Sequence, residues 1–62
     1  MNNERTITIA RRIAQAVERL EILQISQEVF ARAGSAIPER SKRRMAFTKT
    51  RIELLCHALH NA

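Results

Sequence analysis

Apolar and small residues recur along the first third of the chain at Ile9, Ile13, Ala16, Leu20 and Leu23, in alternating steps of four and three. That is the period of one face of a packed helix. Val17 widens the stripe, while Arg11, Arg12, Gln15, Glu18 and Arg19 take much of the remaining surface. The pattern predicts a helix A over residues 6–21. Thr6 to Ile9 also reads as a β-branched alternation suited to a short strand. Four residues followed at once by strong helix formers favour a helix start instead, with Asn2 or Asn3 as N-cap.

Beyond Leu20 two readings open. The stripe can continue through Gln27 to Phe30, giving one helix from about Thr6 to Ala33, or the chain can turn at residues 22–25 and restart with Ser26 as N-cap. Ser26 followed by Gln27 and Glu28 puts a capping hydroxyl and a first-turn carboxylate where helix starts want them, and Ile22, Leu23 and Ile25 crowd together before it. The break is favoured, with a short helix B over residues 26–36. Gly34 suits a C-terminal cap, and Pro38 with Glu39 and Ser41 opens a new helix with proline in its first turn. A long helix C over residues 39–60 carries Met45, Thr48, Ile52, Leu55 and Leu59 at steps of three and four, flanked by Phe47, Leu54 and Ala58. The expected fold is all-α: one domain over residues 1–62, a small helical array of two to three helices.

Size sharpens the expectation. A chain of 62 residues buries only about 60% of the surface its unfolded form exposes, so its core is thin. Ordering costs about 1.5 kcal/mol per residue and burial returns about 25 cal/mol per Å², and these nearly cancel at this length. The seams on helices A and C therefore call for a mate, and a homodimer is the usual remedy. Candidate partner or dimer positions are Ile9, Ile13, Val17 and Leu20 on helix A and Ile52, Leu55 and Leu59 on helix C. Phe30 and Phe47, with no Trp or Tyr beside them, read first as core residues and otherwise as interface anchors.

Eleven Lys and Arg face six Glu and no Asp, a net charge of +5, and the excess is local: residues 39–62 carry six cations and two carboxylates. Arg40, Lys42, Arg43, Arg44, Lys49 and Arg51 form the candidate basic surface, which could neutralise phosphates in a salt-sensitive manner. Against direct nucleic-acid binding, residues 42, 43 and 44 point in different directions around a helix, and aromatic platforms for base stacking are missing. A helix-turn-helix around residues 26–44 fails on spacing, with Pro38 where the recognition helix would open.

Other chemistry is thinly supported. Glu53, His57 and His60 share a face of helix C with Cys56 beside it, a set zinc would accept, but histidines near a helix C-terminus also suit its dipole. Cys56 and His57, adjacent on a helix, diverge too far to act as nucleophile and base. No Gly-rich phosphate loop or hydroxyl nucleophile motif occurs, so neither an enzyme nor a cofactor is expected. The single cysteine, together with Glu4, Arg11 and Arg12 interrupting the early apolar stretch, points to a cytoplasmic chain without a cleavable signal or membrane span.

The order of features resembles the ANR family, small negative regulators of AraC-type transcription activators in Gram-negative pathogens. Residues carrying the resemblance run colinearly from about 14 to 56: Glu18 and Arg19, then Phe30, Arg32 and Ala33, then Arg43, Phe47, and Arg51, Ile52, Glu53 and Leu54. Phe30 and Phe47 stand where the family has tryptophans, and Cys56 stands one residue later than in the family pattern. The resemblance implies a virulence repressor without chemistry of its own, which binds an AraC-type activator and blocks its dimerisation or DNA binding. It also implies contact with the histone-like nucleoid-structuring protein. The alternative, from charge alone, is a small basic helical dimer that binds DNA or RNA directly.

Overall fold

Between residues 3 and 33 there is no Gly or Pro, and the apolar phase never slips, so nothing in the backbone interrupts a helix there. The computed structural model, which describes residues 3–61, accordingly has one helix, α1 (Asn3–Arg32), and a second, α2 (Glu39–His60). Asn2, one candidate N-cap, lies outside the described residues, and Asn3 is already helical. Thr6 to Ile9 is helical as well, with the Thr8 hydroxyl donating to the Glu4 carbonyl at 2.8 Å.

The expected break at residues 22–25 and the separate helix B do not occur. Ser26 and Gln27 are half-buried on the inner face, continuing the stripe from Leu23 to Phe30, and Gln27 Nε2 donates to Ser41 Oγ on α2 at 3.2 Å. The crowded isoleucines separate by direction: Leu23 turns inward while Ile22 and Ile25 remain exposed. A hydroxyl able to cap a helix start is equally able to sit mid-helix when a partner helix lies against it, and here tertiary packing decides.

The Gln27–Ser41 bond sets the register of the hairpin. Counting outward from it, the steps of four and three on α1 and α2 match one for one in opposite directions. Leu23 comes level with Met45, Leu20 with Thr48, Ala16 with Ile52, Ile13 with Leu55, and Ile9 with Leu59. Every one of these residues is buried or half-buried, Ile9, Ala16 and Thr48 most deeply. This is an antiparallel helical pair with coiled-coil spacing, one polar layer near the turn and small or aliphatic layers along the rest. Thr48 satisfies its buried hydroxyl by donating to the Arg44 carbonyl at 2.7 Å. The same register leaves residues 3–7 of α1 beyond the end of α2, and the described residues form a rod of 51 × 14 × 13 Å.

The turn closes by backbone geometry. Gly34 adopts φ +73°, the Ser35 N–H donates to the Phe30 carbonyl at 2.9 Å, and the Gly34 N–H donates to the Ala31 carbonyl at 3.1 Å. Those two bonds are a Schellman motif, which satisfies carbonyls that the end of α1 would otherwise leave unpaired. Pro38 stands one residue outside α2 as its N-cap rather than within the first turn, and its carbonyl accepts from the N–H groups of Ser41 at 3.0 Å and Lys42 at 3.2 Å. At the other end of α2, the Asn61 side-chain amide donates to the His57 carbonyl at 3.0 Å. A Cβ on Gly34 would meet nothing within 4 Å, so only the left-handed backbone opposes one. Gly34→Ala is expected to lower the unfolding free energy by about 1 kcal/mol, read as a lower urea midpoint with unchanged helical dichroism. An unaltered midpoint would mean that the turn does not hold this conformation.

Candidate functional site

On α1, Arg12 and Arg19 are seven residues apart, and on α2 so are Arg44 and Arg51. A seven-residue step is close to two helical turns, so each pair forms a column along its helix. The hairpin brings the columns to the same side. Between them lies a cleft of about 800 Å³ whose walls include Arg19, Ile22 and Leu23 from α1 and Arg43, Arg44, Phe47 and Thr48 from α2. A smaller hollow of about 210 Å³ continues along the rod past Arg12, Gln15 and Arg51, and a third of about 270 Å³ runs from Phe47 to Leu54 and Leu55. All three share Phe47, so they are stretches of one open groove.

Phe47 is 68% exposed, so the core role expected for it does not hold. Its position explains why. The α2 seam follows Met45, Thr48 and Ile52, and Phe47 falls about 100° of helix rotation to one side of Thr48, over the groove. Phe30, by contrast, is half-buried beside the turn. Ile22 and Leu54 flank Phe47 in the groove and are 60% and 65% exposed. Five arginines are therefore interleaved with exposed apolar side chains, and no carboxylate is among the described residues that line the groove.

The other sequence-derived candidates divide between seam and flanks. Ile9, Ile13, Leu20, Ile52, Leu55 and Leu59 lie between α1 and α2 and hold the hairpin together, with all but Ile9 remaining half-exposed. Val17 lies at the edge of the α1 stripe, 38% exposed. Lys42 and Lys49 each precede Arg44 and Arg51 by two residues, about 200° of rotation, and occupy the far flank of α2. The basic residues thus split into an arginine side and a lysine side, with Arg40 exposed in the first turn of α2. Among the described residues no three of His, Cys, Asp and Glu come together as a metal site, and Cys56 is free and exposed. No described helix is long and apolar enough to cross a membrane.

Arg12, Gln15, Ile22 and the arginine columns as a unit were not singled out by the sequence reading. The available signal was the seven-residue spacing of arginines on both helices, each beside its apolar stripe. It gains meaning only when the two helices are known to pair. No family model, no curated protein and no solved structure matches this chain.

Proposed function

We propose that this chain is a protein-binding negative regulator of transcription, which inhibits an AraC-type activator by blocking its dimerisation or DNA binding. One observation carries the reading: Arg19, Arg43, Phe47 and Arg51, four of the residues on which the resemblance to the ANR family rests, converge on the same open groove. Arg43, Phe47 and Arg51 share one face of α2 by their four-residue steps, and the pairing of the helices adds Arg19, 24 residues before Arg43, to the same surface. A narrow rod with large apolar side chains on its outside is suited to occlusion by docking. Several seam residues are only partly buried, a surface that a second copy could cover, so a homodimer belongs to the same proposal, as does contact with a nucleoid-structuring protein.

The test is titration of the purified chain into an AraC-type activator bound to its operator. The activator's mobility shift is expected to disappear as a protein complex forms. An undiminished shift, with no complex of the two proteins after nuclease treatment, would overturn the reading. The alternative is direct binding of DNA or RNA, favoured by an exposed aromatic ring among arginines, an arrangement that stacks bases and neutralises phosphates. It predicts that the chain itself retards nucleic acid, with an affinity that falls steeply with salt.

A further inference from the structure

We infer that the groove centred on Phe47 is a seat for an acidic amphipathic helix of a partner protein. The inference rests on the reading of the chain as a protein-binding regulator and assigns that reading a site and a partner chemistry. The groove has the two elements such a helix needs. Its bottom is formed by the buried or half-buried Ala16, Leu23 and Thr48, and apolar side chains stand on its walls, Ile22 on α1 and Phe47 and Leu54 on α2, each at least 60% exposed. Arginines line it between and beside those side chains: Arg12 and Arg19 on α1, and Arg43, Arg44 and Arg51 on α2. A guanidinium binds a carboxylate through two parallel hydrogen bonds, so a helix with apolar residues at i, i+3 or i+4 and i+7, bordered by Glu or Asp, meets both elements at once.

Charge decides among the possible occupants. A second copy seated symmetrically on this groove would set arginine against arginine in a chain already at +5. A nucleic acid would satisfy the arginines and one ring but would leave Ile22 and Leu54 facing polar backbone. An acidic helix leaves neither the cations nor the aliphatic side chains without a partner. From Arg43 to Leu55 the groove follows thirteen residues of α2, a rise of about 18 Å, which a helix of similar length covers.

The experiment uses the full chain and a fluorescent peptide of about 18 residues, designed with leucines along one helical face and glutamates on its borders. A scrambled peptide of identical composition, a short single strand and a short duplex of DNA serve as competing probes. The amphipathic peptide is expected to bind at least about tenfold more tightly than the scrambled one, and Phe47→Ala to weaken it by at least about tenfold. Because Phe47 is mostly exposed, the thermal unfolding of Phe47→Ala should match that of the original chain. Equal affinity for the two peptides, insensitivity to Phe47→Ala, or tighter binding of either DNA at the same salt would overturn the proposal. So would sedimentation as a dimer that Phe47→Ala dissociates. If the original chain and Phe47→Ala repress an AraC-type activator equally, the groove assignment falls and the regulator reading stands. If the peptide binds through Phe47 but the chain represses no such activator, the regulator reading falls and the groove assignment stands.

Discussion

Leu20→Asp should unfold the hairpin. Leu20 is level with Thr48 in the middle of the seam, where it is half-buried and a carboxylate would lose part of its water. Trading a half-buried leucine for a carboxylate in the seam costs about 3 kcal/mol. A domain of 62 residues has a total stability of about 3 to 9 kcal/mol, so from about a third to all of it is consumed. Far-ultraviolet circular dichroism should show a large loss of helix at room temperature, and both self-association and repression should vanish with the fold. Val17→Asp is the control. Val17, which widens the stripe at its edge, is 38% exposed, so a carboxylate there keeps contact with water and the substitution should cost less than Leu20→Asp. If Leu20→Asp retained full helicity and an ordinary unfolding midpoint, the seam would not be what holds α1 to α2.

Reversing two charges on the arginine side should abolish repression, whereas reversing two on the lysine side should not. Arg19→Glu with Arg44→Glu places a carboxylate on each wall of the groove; Lys42→Glu with Lys49→Glu makes the same change of net charge on the far flank of α2. Both variants alter exposed side chains, so both should remain folded. Like charges facing each other across an interface cost several kcal/mol, and the first variant is expected to lose about a hundredfold or more in activator binding. The second should stay within about threefold of the original chain, because screening at physiological salt confines a surface charge to its own neighbourhood, about 8 Å. Fluorescence anisotropy with a labelled activator, together with reporter repression, reads both. Equal losses in the two variants would show that net charge, not the groove, drives binding.

Much of the fold can be read along the chain because helix periodicity is local. The stripe from Ile9 to Leu23, the stripe from Met45 to Leu59, and the boundary at Gly34 and Pro38 each depend on residues within a turn or two of one another. The bounds of α2 agree with that reading. Ser26 misled it for a definite reason. A hydroxyl before Gln27 and Glu28 is the pattern of a helix start when no other helix is near. Beside Ser41, the same stretch belongs to a polar layer inside the hairpin. Phe47 misled it similarly, since a large aromatic ring next to an apolar stripe is ordinarily drawn inward. Here the inner positions are filled by Met45, Thr48 and Ile52, and a single helical step carries the ring past the seam.

By itself, the order of residues determined an all-helical chain, the two apolar stripes, the place of the turn and the concentration of cations in the second half. Only the pairing of α1 with α2 decided that residues 3–32 form one helix, that Arg12 and Arg19 join Arg43, Arg44 and Arg51 around Phe47, and that Lys42 and Lys49 stand apart. The physical reason is that each helix's periodicity specifies directions about its own axis alone. Which side chains face each other across a groove depends on the register and rotation of one helix against the other, set by the Gly34 turn and the Gln27–Ser41 layer.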